Sequence, residues 1–235
     1  MAELVVAVDV AREAELEALL SALKGRPVWV KLGLEALSAL GYGAIGRAAD
    51  AGFKVFADVK YHDIPNTVGA ASRVLTRTGA SMFNVHCAGG TAMCAAAREE
   101  SEREAARLGR PRPIVLGVTV LTSLAKDDLA KVGFAGGPLE TVRRLAAAGK
   151  EGGLDGVVCS VHEAAAIKAA LGRNFYVLTP GIRPAGGDAQ DQKRVATPAG
   201  AVAAGADFLV VGRPITGAPD PAAACDAILS EVRTA

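Results

Sequence analysis

Short runs of branched and aromatic apolar residues alternate along the chain with longer stretches in which Ala, Leu and Glu recur at helical spacing. Eight runs read as strands, at 4–10, 27–32, 53–60, 81–86, 113–120, 156–160, 175–179 and 207–212. Helices are expected between them, near 13–23, 36–51, 67–78, 90–108, 139–151, 161–170, 197–204 and 221–232. Strands apolar on both faces belong to parallel sheets covered by helices. Eight βα units in succession therefore predict a (β/α)8 TIM barrel, an α/β fold. No Gly/Ser-rich or Pro-rich linker divides the chain, so residues 1–235 are expected to form a single domain.

One run departs from this pattern. FKVFADVKYHDIPNT, residues 53–67, begins as a buried strand and then places Asp58, Lys60 and Asp63 within six positions. Residues two apart on a strand share a face, so Asp58 and Lys60 are expected side by side, roughly 6–7 Å apart at Cα. Asp63 follows the strand, and Ile64-Pro65-Asn66-Thr67 reads as a loop into a helix, with Asn66 or Thr67 able to cap it. Taken alone, the pair fits an ordinary ion pair at a strand end. Charge concentrated where an apolar parallel strand finishes is also where such folds carry their active sites.

Composition narrows the partners. The 235 residues are 51% hydrophobic and 22% charged, with a formal net charge of +1. This suits a large core and offers no basic patch for nucleic acid. The opening MAELVVAVDVAREAELEALL lacks a basic leader and carries Glu3 and Asp9 in its apolar part, so it reads as a first strand and helix rather than a secretion signal. No run reaches the roughly 18 apolar residues of a membrane helix, and a cytoplasmic location without membrane contact is expected. Cys87, Cys94, Cys159 and Cys225 lack C-x-x-C spacing and are expected as buried free thiols.

Polar residues collect at successive strand ends: Asp9, Lys31, Asp58 with Lys60, Asn84 with His86, and Thr119 with Thr122. The seventh run leads into Thr179-Pro180-Gly181-Ile182-Arg183 and the eighth into Gly212-Arg213. Singly, Asp9 could cap a helix, Lys31 could snorkel and His86 could be an interior histidine. Jointly they describe one face of a barrel. Loops after the last two strands are the usual phosphate seat, and the planar fork of Arg183 or Arg213 suits phosphate oxygens. A phosphorylated substrate is expected. The irregular segment 181–195 reads either as a loop over the site or as plain surface.

AVDV at 7–10, VKLGLE at 30–35, FADVKYHDIPNTV at 56–68, VTVLTS at 118–123, LTPGIRP at 178–184 and VVGRPIT at 210–216 together resemble the orotidine 5′-monophosphate decarboxylase family along essentially the whole chain. The DxKxxDIPNT core is specific to it, whereas a bare DxKxxD also occurs in sugar-phosphate decarboxylases and aldolases. The resemblance implies conversion of orotidine 5′-monophosphate to UMP and CO2 with no cofactor and no metal. It makes Lys31, Asp58, Lys60 and Asp63 a charged tetrad, with Lys60 the proton donor. It also implies a homodimer with shared sites, Asp63 reaching the neighbouring subunit. Asp9 and Lys31 would meet the ribose, and Asp63 and Thr67, with the intervening Ile64, Pro65 and Asn66, would contribute from the partner. Thr122 would meet the pyrimidine, and Arg183, Gln192, Gly212 and Arg213 the phosphate. Ala57, Val59 and Cys87 depart from the residues usual at their positions, none of which is functional. The competing readings are a Mg2+-dependent sugar-phosphate lyase of the same superfamily and a non-catalytic nucleotide-binding barrel.

Overall fold

The computed structural model describes residues 2–184 and 196–235. Strands β1 (Glu3–Ala7), β2 (Val28–Leu32), β3 (Lys54–Tyr61), β4 (Met82–His86), β5 (Ile114–Val118), β6 (Gly156–Val158), β7 (Tyr176–Thr179) and β8 (Phe208–Val211) pair in parallel with their neighbours, and β8 closes on β1. This is the (β/α)8 barrel that the alternation predicts. Outside it run α1 (Glu13–Leu23), α2 (Leu34–Leu40), α3 (Gly43–Asp50), α4 (Pro65–Arg77), α5 (Thr91–Arg107), α6 (Lys126–Lys131), α7 (Pro138–Glu151), α8 (Val161–Leu171), α9 (Pro198–Ala203), α10 (Arg213–Thr216) and α11 (Pro221–Thr234).

The two-residue period of each strand sorts its side chains into two cores. Outward positions such as Leu4, Val6, Val30, Val55, Ala57, Phe83 and Val115 pack under the helices, where α1 contributes Leu16, Leu20 and Leu23 at helical spacing. Inward positions Val5, Ala7, Trp29, Phe56, Met82, Leu116, Leu178, Phe208 and Val210 fill the barrel. At its N-terminal end Trp29 and Tyr176 each meet Phe208 edge-on, with ring centroids 5.5 and 5.6 Å apart, and Lys54 Nζ lies 5.0 Å over the Trp29 ring. That end is plugged. Along each strand the same inward row continues upward into different chemistry: Val5 and Ala7 lead to Asp9, Trp29 to Lys31, Phe56 to Asp58, and Met82 to Asn84.

Several expected boundaries move. The helix expected at 36–51 is two helices, because Gly41 adopts φ 69° and ends α2 with its N–H on Leu37 O. Helix α4 starts at Pro65 with Ile64 as its N-cap, so Asn66 and Thr67 lie within the first turn and cap nothing; Pro65 takes the position where a missing N–H costs least. Helices α6 and α10 and a 3-10 turn at Cys87–Gly89 add to the expected elements. All four cysteines are buried free thiols. No helix among the described residues is long and apolar enough to cross a membrane.

Candidate active site

Above the plug, where the strands finish, a cavity of about 300 Å³ opens. Phe56, Val118, Val120, Val158, Leu178 and Val210 make its apolar wall. Asp9, Lys31, Asp58, Lys60 and Asn84 line it from β1 through β4, with Thr122 following β5 and Arg183, Gly212 and Arg213 following β7 and β8. The size and the contrast of walls suit a small molecule with one polar or charged side and one apolar side.

The charged wall is a chain of alternating sign. Lys31 Nζ lies 3.1 Å from Asp9 Oδ1 and 3.3 Å from Asp58 Oδ2, and Lys60 Nζ lies 2.6 Å from Asp58 Oδ1. Lys31 and Asp58 are buried, at 8% and 9% exposure, while Asp9 opens to solvent. Burial opposes the Asp58 carboxylate, but Lys31, Lys60 and the hydrogen bonds from Lys60 and Asn84 outweigh it and hold its pKa below the usual carboxylate value. Burial likewise opposes the Lys31 ammonium; Asp58 and Asp9 outweigh it and push its pKa up. Both groups are therefore ionised at neutral pH, and an ammonium, Lys60, is presented toward the cavity by a fixed carboxylate.

Two features of this wall have roles that the sequence does not announce. Asn84, 1% exposed, donates from Nδ2 to Asp58 Oδ1 at 2.7 Å and accepts the Lys60 backbone N–H on Oδ1 at 2.7 Å. Gly33, which caps α2, stands so close that a Cβ there would lie 2.9 Å from Lys31 Nζ and 3.1 Å from Asp9 Oδ1. The signal for Asn84 is its place two residues above Met82 on an inward row. His86, the next inward position, stacks on His62 with centroids 5.2 Å apart; burial, then His62 and Lys60, hold its imidazole pKa below the ordinary value.

Asp9, Lys31, Asp58, Lys60, Thr122, Arg183, Gly212 and Arg213 are thus brought together by the fold. Arg183 is buried, its Nη1 donating to Ile182 O, and its backbone N–H bonds Ala196 O within a parallel bridge between residues 182 and 196. Asp63, Ile64, Pro65, Asn66 and Thr67 do not line this cavity: all five are exposed, and Asp63 Oδ1 accepts the Ile64 N–H at 2.6 Å. Gln192 and most of the segment 181–195 lie outside the described residues. No group of three or more His, Cys, Asp or Glu among the described residues is placed to hold a metal ion.

Comparison with known proteins covers nearly all of the chain. Residues 2–228 match the model of the orotidine 5′-phosphate decarboxylase / HUMPS family. A protein of Moorella thermoacetica named orotidine 5′-phosphate decarboxylase is 49% identical over 231 residues, 98% of this chain and 92% of its own. One of the same name from Nitratidesulfovibrio vulgaris strain Miyazaki F is 50% identical, with both chains covered completely. Among solved structures, the orotidine 5′-phosphate decarboxylase of Lactobacillus acidophilus superposes with a TM-score of 0.89 at 36% identity, covering 99% of each chain.

Proposed function

The chain belongs to the orotidine 5′-phosphate decarboxylase / HUMPS family, and from that membership and its cavity we infer that it converts orotidine 5′-monophosphate to UMP and CO2, a step of pyrimidine biosynthesis. The observation that carries the reading is the Asp9–Lys31–Asp58–Lys60 chain facing an apolar wall. Loss of CO2 from C6 of the orotate ring leaves an electron pair in the ring plane, where the ring carbonyls delocalise it poorly. A fixed ammonium at that carbon stabilises the charge as it develops and then donates the proton that makes UMP. Lys60 is that ammonium and Asp58 holds it. Lys31 and Asp9 take the ribose hydroxyls, Thr122 meets the pyrimidine, and Arg183, Gly212 and Arg213, joined by Gln192, receive the 5′-phosphate far from the breaking bond, so that phosphate binding orients the ring.

The second part of the proposal is a homodimer with shared sites. Asp63 is exposed and does not line the cavity of its own chain, and it precedes Ile64, a large apolar residue 66% exposed. Leu34 and Tyr42, which follow β2, are exposed as well and line an open apolar notch with Leu37 and Val59. A second copy covers these surfaces and receives Asp63, with Ile64 through Thr67, at the mouth of its own cavity. The Mg2+-dependent alternative would require a cation to displace Lys31 from between Asp9 and Asp58. The deciding experiment follows the loss of orotidine 5′-monophosphate absorbance in EDTA-treated buffer: undiminished turnover is expected, and a strict requirement for added Mg2+ would favour the sugar-phosphate lyase.

A further inference from the structure

We propose that Asn84 is a positioning residue for decarboxylation, holding the Lys60 backbone and the Asp58 carboxylate in register through one buried amide. Among the described residues Lys60 is the one non-glycine with positive φ, 51°, a region that side chains with a Cβ rarely enter. The irregularity is built into the sheet: Ala57 pairs with Phe83 and Tyr61 with Val85, four steps along β3 against two along β4. Within that interruption the Lys60 N–H is turned toward the side chain of Asn84 and bonds its Oδ1 at 2.7 Å.

An amide has one end that accepts and one that donates. Because Oδ1 is committed to the Lys60 N–H, Nδ2 must face the other way, and there it meets Asp58 Oδ1 at 2.7 Å. That is the same oxygen that receives the Lys60 ammonium at 2.6 Å, while Oδ2 is left for Lys31. Asn84 thus ties together both ends of the Lys60 residue: its backbone directly, and its Nζ through the carboxylate that holds it. At 1% exposure the amide is shielded from bulk solvent, so each of its two partners depends on it for a hydrogen bond. An aliphatic residue of the same size would leave the Lys60 N–H and one Asp58 lone pair buried and unmet. The amide lines the cavity wall beside the charged row, and its role is the aim of the ammonium.

The inference rests on the decarboxylase reading, and turnover by the parent protein in the same assay keeps the two apart. The test compares Asn84→Ala with Asn84→Asp, with kcat referred to sites titrated by UMP so that any unfolded fraction drops out. For Asn84→Ala, kcat is expected to fall roughly 10- to 100-fold while UMP affinity stays within about threefold. The acid limb of the kcat profile should also move to higher pH, because Asp58 loses a donor that helps keep it ionised. The charged and titratable groups around that carboxylate are Lys31 on β2, Lys60 on β3, His86 on β4 and, through Lys31, Asp9; none is altered by the substitution. Asn84→Asp keeps an acceptor for the Lys60 N–H but turns a second carboxylate toward Asp58, so its acid limb should move further than that of Asn84→Ala. A purely structural role would lower the melting temperature and leave the limb in place. Parental kcat and an unmoved acid limb in either variant would overturn the proposal, and should Asn84→Ala prove insoluble, Asn84→Asp decides by the same limb.

Discussion

Replacing Asp58 by asparagine tests the centre of the account, because it changes one charge and almost no volume. The cluster Asp9, Lys31, Asp58 and Lys60 carries two negative and two positive charges; in Asp58→Asn one positive charge is left in excess. Lys60 loses its ionic contact at 2.6 Å, and Lys31 keeps only Asp9 at 3.1 Å. Removing one partner of a buried pair costs about 3–5 kcal/mol. The lower part of that range applies, since the Lys60 side chain is 30% exposed and water screens it in part. If all of about 3–4 kcal/mol is felt only in the transition state, then at about 1.36 kcal/mol per decade the fall in kcat is at most roughly 10²- to 10³-fold. Stopped-flow or steady-state absorbance of orotidine 5′-monophosphate measures it directly.

The same substitution has a stability arm whose sign is fixed. Asp58 has a lowered pKa in the folded protein, so it contributes stability that is fully present above the unfolded carboxylate value of about 3.9 and is lost as pH falls through the folded value. The parent should therefore lose stability more steeply than Asp58→Asn as pH drops below about 4. Urea unfolding at neutral pH and in that acid range reads the difference. Turnover within threefold of the parent, or stability curves that run parallel into acid, would show that Asp58 does not hold the ammonium and would refute the reasoning.

Two further outcomes follow from the geometry. Lys60→Ala and Asp63→Ala should each abolish nearly all turnover with UMP binding largely kept, and mixing them should restore one complete site per hybrid dimer; no recovered activity after verified subunit exchange would count against shared sites. Gly33→Ala places a methyl 2.9 Å from Lys31 Nζ, displacing a flexible tip by a few tenths of an ångström; a roughly tenfold loss in kcat/KM with an unchanged melting temperature is expected, and full activity would place Lys31 outside the substrate contacts.

The barrel is legible in the chain because its strands are apolar on both faces and its helices are not. Each expected run overlaps an observed strand, and the inward row that ends in Asp9, Lys31, Asp58 or Asn84 can be read off by counting in twos from Val5, Trp29, Phe56 and Met82. What escapes such reading depends on backbone angles that composition does not encode. The break at Gly41 is hidden in an Ala- and Leu-rich stretch that continues the helical pattern on either side. The start of α4 is obscured because Asn66 and Thr67 are good capping residues, yet proline at the first helical position settles the register. The double role of Asn84 depends on the left-handed turn at Lys60, which a lysine gives no reason to expect. The partner-facing part of the proposed site belongs to surfaces that a single chain leaves exposed.

The ring of Trp29, Tyr176 and Phe208 at the floor of the barrel bears on traffic as well as on packing. With these rings filling the base, the cavity opens at the end where the strands finish, and in the proposed reaction carbon dioxide would leave by that rim, beside the nucleotide or after it. If the phosphate is held at the rim as proposed, carbon dioxide retained beneath UMP would stay near the newly formed C–H bond, and the order of product departure would depend on how firmly that phosphate is held.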